Sequence, residues 1–231
     1  MLIIIIGNNM RDNLFILGRE LSAFFISGLV LVFAMAMVYI DVNWMNDAMK
    51  ETSFTEVTQE IMLAINAGLF FIASRQRPAL ILVGGFFTCM LIRELDFLFD
   101  IIKHGCWVWF ALAVTAASLA MALRQPKQIL PGLVELVQHR SWQMMASGLL
   151  AVLVFSRLFG MHQLWEHLML DGYNRVVKNM AEEGSELLGY SLCLIASVRY
   201  LWQTRPQLAN APAAAKASSN MNHAQPQIAT R

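Results

Sequence analysis

Carboxylates arranged in helical pairs are the residues of this chain best placed to do chemistry. Glu56/Glu60, Asp96/Asp100 and Glu182/Glu186 each stand four positions apart, the spacing that brings two side chains onto one helix face. Arg93, Glu94 and Glu183 stand beside them. Two like charges about 6 Å apart repel by roughly 3 kcal/mol at an effective dielectric of ~20. Several facing pairs therefore need proton uptake, pairing with Arg93, Arg157, Arg175 or Lys178, or a bound metal ion. The candidate ion-binding set is Glu56, Glu60, Arg93, Glu94, Asp96, Asp100, Glu182, Glu183 and Glu186.

Imidazole is the second chemistry to weigh. His162 and Glu166 form an i, i+4 pair with His167 adjacent, and together with the acids they would supply ligands suited to a divalent ion such as zinc, manganese or iron. His162 and His167 stand five positions apart, which turns their rings about 140° from one another on a regular helix. Neither the ExxH spacing of di-iron bundles nor HExxH occurs, so His162, Glu166 and His167 are the weaker, metal-type candidate. Nucleophilic and phosphate-binding signatures are missing too: there is no GxSxG, P-loop or GxGxxG. Gly84-Gly85, Gly148 and Gly189 fit close helix approach instead. Cys89, Cys106 and Cys193 lie in apolar segments without CxxC spacing, as packing residues do.

The element that must position this chemistry is Ala79 to Asp100. Fourteen uncharged residues, Ala79 to Ile92, precede Arg93, Glu94, Asp96 and Asp100; they cover roughly 21 Å of a hydrocarbon core about 30 Å thick. Read as one helix, the segment puts Arg93, Asp96 and Asp100 on a common face with Glu94 about a quarter turn away. The neighbours are short as well, with fourteen uncharged residues between Glu60 and Arg75 and twelve between Glu186 and Arg199. Acid groups at that depth normally face a bundle interior or a wet cavity.

Composition fixes the class. With 57% hydrophobic and 14% charged residues and a mean hydropathy of +0.52, the chain lies outside ordinary soluble usage. Six spans can be drawn, at about 19–40, 55–75, 79–100, 106–123, 141–160 and 180–202. The expectation is an all-α, polytopic membrane bundle of six transmembrane helices. A six-residue apolar run at the N-terminus is too short for a signal-peptide core, so the first span is expected to serve as an uncleaved insertion signal. If the spans alternate, eleven Lys/Arg fall on the side of the termini and six opposite (Lys50, Arg93, Lys103, Arg157, Arg175 and Lys178), which predicts both termini in the cytoplasm. Acids partition the other way: only Asp12, Glu20 and Glu135 lie on the basic side. Trp44, Trp107, Trp109 and Trp165 fall near outer ends, and Trp142 and Trp202 near inner ends, as two interfacial belts.

Residues 1–18 read as a short cytoplasmic segment, 19–205 as the transmembrane domain, and 206–231 as a disordered tail poor in periodicity. The inner connection around Pro126 and Pro131 holds a short amphipathic stretch suited to a membrane surface. The long outer connection after the fifth span is expected to be partly helical. Residues 58–75 align with 181–199, matching Glu60 with Glu183 and Ile-Ala-Ser at 72–74 with 195–197, which suggests a parallel hairpin repeat of spans one–two and five–six.

Three readings stand side by side. One is a non-enzymatic protein whose outward acidic pocket binds or translocates a cation or proton. Another is a membrane-embedded metal-dependent hydrolase of lipid or envelope substrates. The third is a scaffold or sensor subunit tied to a membrane-protein partner or to further copies of itself. The partners expected are the lipid bilayer and a membrane protein or further copies of the chain, and net charge +1 gives no basis for nucleic-acid binding. Short loops and small size point to a multi-pass protein of a bacterial inner membrane.

Overall fold

A computed structural model describes the backbone of residues 2–44, 53–101 and 103–222, and the side chains of 13–43, 53–101 and 103–205. Asp12, Trp44 and Lys50, which entered the charge and interface arguments above, lie outside the described side chains, as do Arg11, Lys216 and Arg231 among the eleven basic residues on the side of the termini. All described elements are helical: α1 Leu2–Trp44, α2 Phe54–Ser74, α3 Leu80–Glu94, α4 Asp96–Asp100, α5 Trp107–Ala122, α6 Pro126–Gln138, α7 Trp142–Leu150, a π-helical turn Ala151–Phe155, α8 Ser156–Gly160, α9 His162–Met169, a short 3-10 turn and α10 Arg175–Asn222. Three helical rods are long and apolar enough to cross a membrane: Asn13–Asn43, Phe54–Ser74 and Trp142–Gly160. The pair α5–α6 passes the same test only when taken together, and it is bent by 109°. The protein is therefore an all-helical chain built to sit in a membrane.

At the centre, α2 and α10 run parallel. Gln59 meets Glu183, Met62 meets Ser191 and Asn66 meets Ser197 in that order along both helices. Buried Leu63 and Phe70 of α2 and Leu187, Tyr190, Cys193 and Ala196 of α10 belong to one hydrophobic cluster. Inside this apolar layer the Ser197 hydroxyl donates to Asn66 Oδ1 at 2.7 Å, and Asn66 Nδ2 donates to the Met62 carbonyl at 2.9 Å. The buried amide thus has both functions satisfied.

The outer helices pack through small residues, as their sequence predicts. Gly148 on α7 and Gly189 on α10 cross so closely that a Cβ on Gly148 would stand 2.6 Å from the Gly189 carbonyl oxygen. Gly85 meets Ser118 of α5 in the same manner, and Phe70 stacks on Phe87 at 5.8 Å between α2 and α3.

Polar groups collect at two opposite ends. At one end the Glu20 carboxylate receives Arg19, Arg140 and Arg199, while Arg77 reaches Glu135 and the Tyr200 hydroxyl. Here burial and the nearby Arg199 hold the His139 imidazole below the usual histidine range. At the other end Asp41 accepts from the backbone N–H groups of Phe54 and Thr55 at 2.8 and 2.7 Å and from the Thr55 hydroxyl. Glu20 and Asp41 are 21 positions apart on α1, about 32 Å along a helix axis and close to the thickness of a hydrocarbon core.

One expectation changes. The segment 79–100 is not one helix: Leu95 leaves the helical region at φ −85°, ψ 19° and separates α3 from α4. The face shared by Arg93, Asp96 and Asp100 disappears with it, because a helical wheel holds only while the helix is continuous. The helix α1 begins at Leu2, within the segment 1–18. The helix α10 is described as far as Asn222, and residues 223–231 lie outside the described residues. The alanines of α10 are strong helix formers, although Pro206 and Pro212 each remove a backbone donor.

Candidate functional site

The carboxylates converge at the end of the bundle formed by the start of α2, the end of α3, α8 and the first half of α10. They divide into a half tied to Arg93, Arg157 and Lys178 and a half centred on Glu183. On the paired side Glu186 is only 4% exposed and serves as the hub. Its Oε1 accepts from the Ser156 hydroxyl at 3.0 Å, lies 3.7 Å from Arg93 Nη2 and contacts Arg157 directly. Arg157 also lies 3.9 Å from Glu182, which Lys178 Nζ reaches at 2.8 Å. Arg93 meets Glu94 at 3.1 Å, and the buried Tyr190 hydroxyl donates to Glu94 at 2.6 Å. Three cations and two neutral hydroxyls thereby bind Glu94, Glu182 and Glu186, and they tie α3, α8 and α10 together.

Local backbone irregularity makes this possible. The π turn at Ala151–Phe155 carries one extra residue per turn, which swings the following side chains about 100° relative to an uninterrupted helix. Ser156 and Arg157 follow it immediately and face Glu186. The break at Leu95 acts in the same sense on the opposite flank. Glu94 stays within the bundle, whereas Asp96 turns to solvent.

The second half of the site centres on Glu183, against which, among the described residues, carboxylates rather than cations stand. Glu183 is half-buried, and its Oε2 is enclosed without a hydrogen-bond partner. The charges it faces belong to Glu56, Glu182, Asp41 and Glu94. Glu60 in turn faces Glu94. Gln59 donates to the Glu183 backbone carbonyl at 2.9 Å, which leaves the Glu183 side chain unserved. Asp41 by contrast is fully buried and held by the amino terminus of α2, where the helix dipole favours negative charge. Ser53 caps the same terminus through the Glu56 N–H at 3.1 Å.

Of the candidates named from sequence, Glu60, Arg93, Glu94, Glu182, Glu183 and Glu186 meet here, with Glu56 alongside. Asp96 and Asp100 do not join. Asp96 is exposed, and Asp100 binds His104 at 2.7 Å and the Gly105 N–H at 2.9 Å in the following turn. The histidines also stay apart from the acids of the bundle. His162 pairs with Glu166 at 3.1 Å and with the Tyr173 hydroxyl at 2.9 Å, while His167 turns back to the Gln163 carbonyl at 2.8 Å. Among the described residues no group of three His, Cys, Asp or Glu side chains is arranged to hold a metal ion. Ser156, Tyr190 and the capping role of Asp41 escaped sequence reasoning. For Tyr190 a signal existed: a lone phenol on an apolar helix face needs a partner.

No protein-family model, curated protein or solved structure matches the chain.

Proposed function

We propose that this is a non-enzymatic integral membrane protein whose helices cross six times, with both termini on the basic side, and whose acidic end takes up a proton or a monovalent cation at Glu183. One observation carries the reading: an enclosed carboxylate oxygen without a partner, facing other carboxylates rather than cations. A buried anion in such surroundings takes a proton or attracts a cation. The paired half supplies the contrast, because Glu186 lies three residues away on the same helix and meets two guanidinium groups. Among the described residues no three of the acids are arranged to hold a metal ion, and this favours a proton or a loosely held monovalent ion over a tightly ligated divalent one.

The test uses the full chain reconstituted in liposomes, with an internal pH dye and an imposed potassium diffusion potential. Sodium and potassium binding are titrated in parallel by calorimetry. Glu183→Gln is expected to lower proton flux or monovalent-ion affinity about tenfold or more, equivalent to at least ~1.4 kcal/mol. Wild-type protein that shows neither property, or flux that Glu183→Gln leaves untouched, overturns the proposal.

A second reading, the scaffold subunit, has its own support in the convergence of Arg93 and Arg157 on Glu186. There the charges act as ties between helices, and partner binding takes the place of ion uptake.

A further inference from the structure

The end of the molecule opposite the acid cluster presents the reverse imbalance. Three arginines from three parts of the chain surround the single Glu20 carboxylate: Arg19 on α1 at 3.3 Å, Arg140 from the α6–α7 connection at 3.5 Å and Arg199 on α10 at 2.7 Å. One carboxylate against three guanidiniums leaves a local charge of +2. Each guanidinium carries five donors in a planar fork, so most of these N–H groups remain free for an anion. Arg140 is 73% exposed in its side chain and Arg19 is 61% exposed, which opens the cluster to a ligand from outside. Across this whole end, among the described residues, eight Lys/Arg face only Glu20 and Glu135.

The helix that leads to Arg140 fits a membrane surface. Bent by 109° from α5, α6 lies across the end of the bundle rather than along it. Its inner stripe packs through Gly132 against Ala79 and through the buried Leu136. A second stripe, Leu130, Val134 and Val137, is exposed at i, i+4, i+7. An amphipathic helix in this attitude seats its free apolar stripe at the boundary between headgroups and acyl chains, and so brings Arg140 to phosphate level.

We infer that Arg19, Arg140 and Arg199 form a binding site for the phosphate of an anionic phospholipid headgroup, held at the right depth by α6. The pairing chemistry is guanidinium to phosphate, and anionic lipid adds on the order of 1 kcal/mol per basic group near the surface.

Native mass spectrometry of the full chain, exchanged into detergent with dioleoyl-phosphatidylglycerol or dioleoyl-phosphatidylcholine, tests the site. Wild-type protein is expected to retain the glycerol lipid about tenfold more strongly than the choline lipid, and this preference should weaken with salt. The Arg19→Gln/Arg140→Gln variant is expected to lose the preference. The Arg124→Gln/Lys127→Gln variant, with the same charge change on other exposed positions of this end, should keep it. Arg140→Gln alone, at the most exposed of the three arginines, carries the test if the double variant does not fold, with a partial loss as the expected result. Equal retention of both lipids by wild type overturns the inference. So does an equal loss in both double variants, which would mark general surface charge, or binding of inorganic phosphate with no lipid preference.

Discussion

Glu183 and Glu186 stand one helical turn apart on α10 and meet opposite surroundings. Glu186 is enclosed by Ser156, Arg93 and Arg157, whereas Glu183 faces other acids. Breaking a buried pair by removing one partner leaves an uncompensated charge, while removing both partners is often close to neutral. Glu186→Leu alone is therefore expected to lower unfolding stability by an amount near the low end of about 3–5 kcal/mol, because Arg157 keeps contact with solvent. Glu186→Leu combined with Arg157→Leu should recover most of that loss when unfolding is followed in mixed micelles. A double variant as unstable as the sum of the two singles would mean that the pair is not coupled. The sequence made the acids legible as a group, since i, i+4 spacing and short apolar runs are visible in the letters alone. Which acid receives a cation was not legible, because Ser156 and Arg157 reach Glu186 only after a change of helical register that no residue announces.

Two irregular turns and one close crossing decide how the elements present these residues. The break at Leu95 and the π turn at Ala151–Phe155 each change which side chain faces the bundle. A wheel drawn across either position misassigns everything beyond it, as happened for Asp96 and Asp100. The small-residue crossing was readable, because glycine in an apolar span has few other uses. Gly189→Ala places a methyl group 2.7 Å from the Gly148 carbonyl oxygen and 2.5 Å from a Val152 methyl. It is expected to destabilise the protein by about 1–3 kcal/mol through overpacking. Gly184→Ala on the same helix meets nothing within 4 Å and should be neutral, or stabilising by up to ~1 kcal/mol through helix propensity. Thermal unfolding of the two variants side by side checks the pair, and equal behaviour would refute the tight crossing.

Taken whole, the molecule has a positive end and a negative end separated by its apolar layer, and this polarity was already visible in the distribution of Lys/Arg against Asp/Glu along the chain. The six crossings proposed above make a direct prediction. In a cysteine-free background, Lys103→Cys and Asp171→Cys should react with an impermeant maleimide from outside intact cells. Gln138→Cys and Gln203→Cys should react only after permeabilisation. Labelling of all four from one side would exclude six crossings.

The rods are unequal in reach. At 15 and 16 residues, α3 and α5 extend about 22–24 Å, against a hydrocarbon layer of about 30 Å. Under the six crossings proposed above, a bilayer meeting that flank would pinch by several ångströms, while the long α1 would impose no such deformation. With those crossings the protein would carry a thin edge, a lopsided footprint that would draw it toward thinner patches of membrane.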